Sequence, residues 1–136
     1  MILAGESPTQ VRASGVITPG FVENREEFFA ALDVFIMPSR SEGWGLAAAE
    51  ALAHGVPVIA SATGGLPEIV GSGETGWLVT PGDPKALADA IQAAAKDPER
   101  LRSMGVRGRE RSVRFSIART ADLTERFYTR ILQARG

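Results

Sequence analysis

The chain of 136 residues contains no cysteine, which excludes disulfide staples, thiolate metal sites and cysteine nucleophiles together. Its one histidine, His54, leaves no room for a His-rich metal site or for a Ser-His-Asp arrangement that needs a spare imidazole. No apolar run is long enough to span a bilayer, and the N-terminus lacks the basic-then-apolar pattern of a secretion signal. A cytoplasmic location is the resulting expectation. Lysine is scarce as well: Lys85 and Lys96 are the only lysines among 15 cations.

What remains is the composition of a folded domain. Apolar residues make up 44% and charged residues 23%, enough to bury a core. The net charge is −1 but uneven, with three basic and eight acidic residues up to Val70 and twelve basic and eight acidic ones after it. The overall balance argues against a dedicated nucleic-acid binder. The later excess of arginine suits an anionic neighbour, including peripheral membrane contact through Arg-rich helices. Arg100, Arg107, Arg111 and Arg114 share roughly one helical face, with Arg102 and Arg109 nearby. A solvated helix face is the simpler reading of that set.

Short apolar runs alternate with helical stretches, the pattern of an α/β fold with a parallel sheet. Strands are expected at Met1–Ala4, around Val16-Ile17 before a Pro19-Gly20 turn, at Val34–Met37, Val58–Ala60 and Trp77–Val79. Val34–Met37 is apolar on both faces, as in a strand buried between helices. Helices are expected over Asn24–Leu32, over Gly45–His54 and around Pro67–Val70. Asp83-Pro84 and Asp97-Pro98 each pair an N-cap carboxylate with a ring preset for helical φ. Leu87, Ala90, Ile91 and Ala94 form one apolar stripe, and Ile117, Ala121, Tyr128, Ile131 and Leu132 form another. The order is that of half a doubly wound fold or slightly more, followed by three helices.

The stretch from Pro38 to Glu50 carries the chemistry. It joins a strand to a helix at the carboxyl end of the sheet, where open α/β folds bind ligands. Gly43 and Gly45 let the backbone approach a ligand, and the helix beginning there offers free N–H groups and a positive dipole end. Glu42 lies before that point and Glu50 beyond it. A phosphate on the amides, flanked by two carboxylates that accept hydroxyl hydrogen bonds, suits a nucleotide joined to a sugar.

Other readings compete. Gly43-Trp44-Gly45-Leu46-Ala47-Ala48 fits a loose dinucleotide pattern, but Ser61-Ala62-Thr63-Gly64 lacks the acidic residue that NAD would require. A glycosidase with Glu42 and Glu50 as acid and base needs carboxyl groups roughly 5–9.5 Å apart. Eight helical residues would separate them by roughly 12 Å. A glycine-eased turn bearing two solvated glutamates is equally compatible with the spacing. Gly64-Gly65 fits either part of a sugar pocket or a tight turn with positive φ. Glu68 reads as a first-turn carboxylate, and His54 as an ordinary polar residue at a helix end.

Glu42 and Glu50, with Gly-Trp-Gly-Leu between them and Ala-Leu-Ala-x-Gly-x-Pro-Val-Ile-Ala after, resemble the E-x7-E signature of retaining GT-B glycosyltransferases that use UDP- or GDP-activated sugars. The resemblance continues through Gly64–Val70, Thr75–Val79 and Pro81-Gly82-Asp83, and covers nearly the whole chain. It implies that Glu42 contacts donor-sugar hydroxyls and counts as catalytic. It implies further that the amides of Gly43, Trp44, Gly45 and Leu46 hold the diphosphate and that Glu50 binds the ribose hydroxyls. No metal and no permanently bound cofactor are implied. Trp44 departs from the pattern, which usually has Phe there. Phe21-Val22 falls where the family's backbone touches the base.

By the same resemblance, residues 1–136 form part of a Rossmann-like C-terminal donor-binding domain, without its first strand and without the acceptor domain. The family's acceptor-side histidine belongs to that other domain. With the order 3-2-1-4-5-6, losing strand 1 exposes interior edges. Such edges invite self-association or closure of one half-sheet on the other. The basic residues that clamp the diphosphate lie partly in the absent segment, and Arg12, Arg25 and Arg40 are poor substitutes by position. The expectation is a hexosyltransferase module, inactive alone, with a non-catalytic oligomerising remnant that binds nucleotide sugar as the alternative. A phosphorylase would need a pyridoxal lysine, and Lys85 and Lys96 both lie outside the motif.

Overall fold

A computed structural model describes residues 2–4 and 14–134 of the chain, which divides into two units, Met1–Ala31 and Leu32–Gly136. The start of the first expected strand, Met1, and the candidate cation Arg12 lie outside the described residues.

In the first unit, β1 (Ile2–Ala4) runs parallel to β2 (Ile17–Gly20), with Ile2 opposite Ile17 and Ala4 opposite Gly20. The expected turn at Pro19-Gly20 is instead the end of the strand. Pro19 lacks an N–H, which a strand tolerates on a side where no ladder bond is made. Helix α1 (Arg25–Ala30) starts at Asn24, whose Oδ1 accepts from the amide of Glu27 at 3.2 Å. It stops two residues before Leu32.

The second unit is built on a parallel sheet in the order β3 (Phe35–Met37), β4 (Val58–Ser61), β5 (Gly76–Val79). Ile36 faces Ile59 across one ladder, and Trp77 faces Ile59 across the other. Helix α2 (Leu46–Ala53) connects β3 to β4, and the single-turn helix α3 (Leu66–Ile69) connects β4 to β5. Helices α4 (Pro84–Lys96), α5 (Pro98–Ser112) and α6 (Ile117–Gln133) follow, with a 3₁₀ turn at Val113–Phe115 before α6. Among the described residues the ladders are all parallel, one in the first unit and two in the second.

Alternation along the strands divides the core. Ile59 and Val79 pack with Ala90 and Ala94 of α4, and half-buried Leu87 and Ile91 complete the expected stripe. On the other side lie fully buried Val58 and Ala60, with Ala48, Leu52, Leu66 and Ile69 from α2 and α3. All of β4 is buried. β3 is only half-buried along its length, less than its apolar run implied for a strand between helices, because among the described strands of this unit it lies at the edge of the sheet.

The two Asp-Pro pairs act as expected. Asp83 accepts from the amide of Ala86 and Asp97 from that of Arg100, both at 2.9 Å. On α4, Lys85 is held above the ordinary lysine range, chiefly by its hydrogen bond to Asp89 one turn on. The second stripe differs from expectation. It lies on α6, but no residue of that helix is buried, and Ile117, Tyr128 and Leu132 are exposed.

Candidate functional site

β3 delivers the chain to the carboxyl edge of the sheet, and residues 38–45 turn it into α2. That turn depends on Gly45, the N-cap, at φ +96°. A Cβ there would meet Leu66 Cδ2 at 2.7 Å, so both the backbone angle and the space select glycine. The Gly45 carbonyl accepts from the amides of Ala48 at 3.0 Å and Ala49 at 3.2 Å. With no side chain capping the helix, the amides of Leu46 and Ala47 remain available at its positive end. Gly43, Trp44 and Leu46 are exposed around them.

Glu42 is half-buried and folds onto its own loop, its Oε1 accepting from the amide of Gly43 at 3.0 Å. Glu50 is half-buried one turn into α2, roughly 6 Å along the axis from Leu46. Only Leu46 onward is helical, so the separation inferred from eight helical residues does not hold and spacing alone does not decide against an acid/base pair. The six sequence-selected residues are thus brought to one strand-to-helix junction, with a carboxylate on either side of the open amides.

A second glycine loop holds this junction from behind. Gly65 donates its N–H to the Gly43 carbonyl at 2.9 Å, and Gly64, at φ +55°, lies directly against the carbonyl of Glu42. Gly64-Gly65 therefore does what a tight turn requires and also braces the first loop, which the sequence did not disclose. Glu68 occupies the first turn of α3, as expected.

Trp44 packs edge-to-face on Phe115 of the 3₁₀ turn, ring centroids 5.5 Å apart at 77°. Sequence reasoning missed Phe115. An isolated aromatic 71 positions from the motif carries no local signal, and only the return of α5 beside α2 brings it back.

The arginine face is also not simply solvated. Arg111 donates from Nε to the Ile69 carbonyl and from Nη2 to that of Glu68, both at 2.7 Å, closing the end of α3. Arg109 donates to the His54 carbonyl at 3.0 Å, closing α2. The Arg100 guanidinium lies 5.4 Å above the Trp77 ring. The unsatisfied carbonyls of short helices need cations, and α5 supplies them. Of the candidate diphosphate cations, Arg25 belongs to α1 in the other unit. Arg40, in the loop that leads into α2, lines a cavity together with Pro84 and Leu87 of α4.

Among the described residues no three His, Asp or Glu side chains converge as metal ligands, and no helix is long and apolar enough to cross a membrane.

Residues 13–111 match the family described as Glycosyl transferases group 1. D-inositol 3-phosphate glycosyltransferase of Streptomyces avermitilis is 39% identical over 112 residues, covering 82% of this chain and 24% of that protein. Sucrose-phosphate synthase of Thermosynechococcus elongatus superposes with a TM-score of 0.79 at 40% identity, over 88% of this chain and 31% of the other. HepE of Anabaena in complex with UDP-glucose superposes with a TM-score of 0.75 at 28% identity, over 84% and 32%. The chain thus spans roughly a quarter to a third of the length of the proteins it resembles.

Proposed function

The chain belongs to the group 1 glycosyl transferases, and from that premise we propose that it is the donor-binding part of a retaining hexosyltransferase that uses a UDP- or GDP-sugar. The acceptor in this reading is held by a second domain, so the chain is inactive alone. The observation that carries it is the uncapped start of α2 at the carboxyl edge of the sheet, with Glu42 before it and Glu50 one turn inside. HepE, a structural neighbour, was solved with UDP-glucose, which supports a uridine diphosphate donor for this chain too.

Each group has a role set by its chemistry. The Leu46 and Ala47 amides and the helix dipole accept the diphosphate and stabilise the charge that grows on it as the glycosidic bond breaks. Glu50 accepts hydrogen bonds from the ribose hydroxyls and Glu42 from the donor sugar, each strengthened by the carboxylate charge. For Glu42 this requires exchanging the Gly43 amide for a sugar hydroxyl. In the transfer, the bond from the anomeric carbon to the diphosphate oxygen breaks. The acceptor oxygen bonds on the same face, and its proton leaves with the diphosphate.

Titration calorimetry of the chain with UDP-, GDP- and sugar-linked forms of each tests this. Saturable heat with one nucleotide series, lost in Glu50→Ala, is the expected result. Absence of heat with every donor would remove the proposal.

A further inference from the structure

A cavity of about 300 Å³ opens at the carboxyl end of the sheet on the side opposite α2. Its position follows from strand alternation. Ile59 points into the core under α4, so Ser61, two residues on, points to the same side one step nearer the edge, level with Val79. There the apolar layer stops. Pro38, half-buried Leu87 and exposed Arg40, Thr80 and Asp83 line it.

Three observations give this space a chemistry. Ser61 is only 2% exposed, yet it lines the cavity, so a nearly buried hydroxyl borders this space. Arg40 and Asp83 line the same cavity with opposite charges, and among the described residues no ion pair joins them. Asp83 commits Oδ1 to capping α4 and keeps its second oxygen for another donor. The volume is at the lower end of the range for small-molecule sites, roughly 300–1,000 Å³.

We propose that this cavity is a second small-molecule site, taking a hydroxyl-bearing oxyanion of sugar size, either a sugar phosphate or a sugar acid. The anionic group sits on the Arg40 guanidinium with the hydroxyls of Ser61 and Thr80 as donors. The ligand's own hydroxyls donate to the free oxygen of Asp83, and its carbon skeleton covers Leu87 and Pro38. The opposed charges then select against simple anions and simple sugars alike. Pro38 and Arg40 come from the loop that leads into α2, whereas Ser61, Thr80 and Asp83 come from β4 and the segment before α4, so the site adjoins the donor loop without using the α2 amides.

The test is amide-resolved NMR titration of the whole chain with glucose 6-phosphate, gluconate, inorganic phosphate and glucose. Glucose 6-phosphate or gluconate should move the amides of Ser61, Thr80, Gly82 and Asp83, and whichever does so identifies the anion. Arg40→Gln should weaken that binding about tenfold or more, the loss expected for a charge-assisted contact. Asp83→Asn keeps a capping side chain and should weaken only the hydroxylated ligand. UDP should move the amides of Gly43–Ala47 instead, in wild type and in Asp83→Asn alike, so failure of one site is seen apart from failure of the other. Silence at residues 61 and 80–83 with both anions, equal shifts from glucose, or undiminished binding in Arg40→Gln would overturn the proposal.

Discussion

Gly64 lies so close to the main-chain carbonyl of Glu42 that no Cβ fits between them. The contact ties the loop after β4 to the loop after β3, and the Gly65–Gly43 hydrogen bond completes the tie. Through it the position of Glu42 depends on a residue 22 positions away. The candidate site is therefore a pair of braced loops, and its geometry is fixed by backbone more than by side chains.

Gly64→Ala should consequently be costly. A left-handed residue with a Cβ costs about 1–2 kcal/mol, and displacing the Glu42 carbonyl should raise the total to about 3 kcal/mol or more. Gly73 is the control, with φ +81° and open space around it. Gly73→Ala should show only the backbone cost. Urea denaturation of both variants decides the matter, and equal midpoints would refute the bracing role.

The two glutamates should separate by ligand. If Glu50 reads ribose and Glu42 reads the sugar, Glu50→Ala lowers affinity for UDP and UDP-glucose alike. Glu42→Ala then lowers it for UDP-glucose alone. A lost hydrogen bond to a charged group corresponds to about 1.5–3 kcal/mol, or roughly tenfold to a hundredfold in Kd. Calorimetry with the two ligands against both variants gives four numbers. An equal loss for UDP in the two variants would contradict the assigned roles.

The Trp44–Phe115 contact predicts a measurable coupling. Edge-to-face pairs contribute about 0.5–1.5 kcal/mol beyond burial. A double-mutant cycle with Trp44→Leu and Phe115→Leu should return a value in that range, while Trp44→Phe should keep most of it. Additive losses in thermal denaturation would show the rings to be neighbours without interaction.

Arg111 and Arg107 should behave differently although they share a helix. Arg111 is half-buried with two short bonds to the end of α3, while Arg107 is exposed. Arg111→Met should cost about 1–3 kcal/mol by leaving carbonyls unsatisfied. Arg111→Lys should recover only part, because the forked guanidinium reaches both carbonyls and an ammonium does not. Arg107→Ala should stay within about 0.5 kcal/mol. Their chemical-denaturation midpoints distinguish a clasp from a charged face.

These contrasts mark what was legible in the sequence. Local signals read well: the Asp83 and Asp97 caps, the buried run at β4, and the junction at Gly43–Leu46, where glycines and a helix start coincide. What depended on distant partners did not. The clasps made by Arg109 and Arg111, the bracing by Gly64 and the stacking of Phe115 all require α2, α3 and α5 to be packed first. The half-burial of β3 likewise follows from its place at the edge among the described strands of its unit, which an apolar run cannot reveal.

The same distinction governs the two helical stripes. Periodicity marks Leu87–Ala94 and Ile117–Leu132 equally as apolar faces, but only α4 packs on the sheet, whereas Leu132 of α6 is 71% exposed. Burial, not pattern, sets the energetic consequence. Leu52→Ala, at a fully buried position in α2, should cost about 2–5 kcal/mol from lost transfer energy and the cavity left behind. Leu132→Ala removes the same atoms from a position already in water and should change stability by no more than about 0.5 kcal/mol. Thermal denaturation at several protein concentrations checks both. A large, concentration-dependent loss in Leu132→Ala would mean that the α6 face is covered in solution.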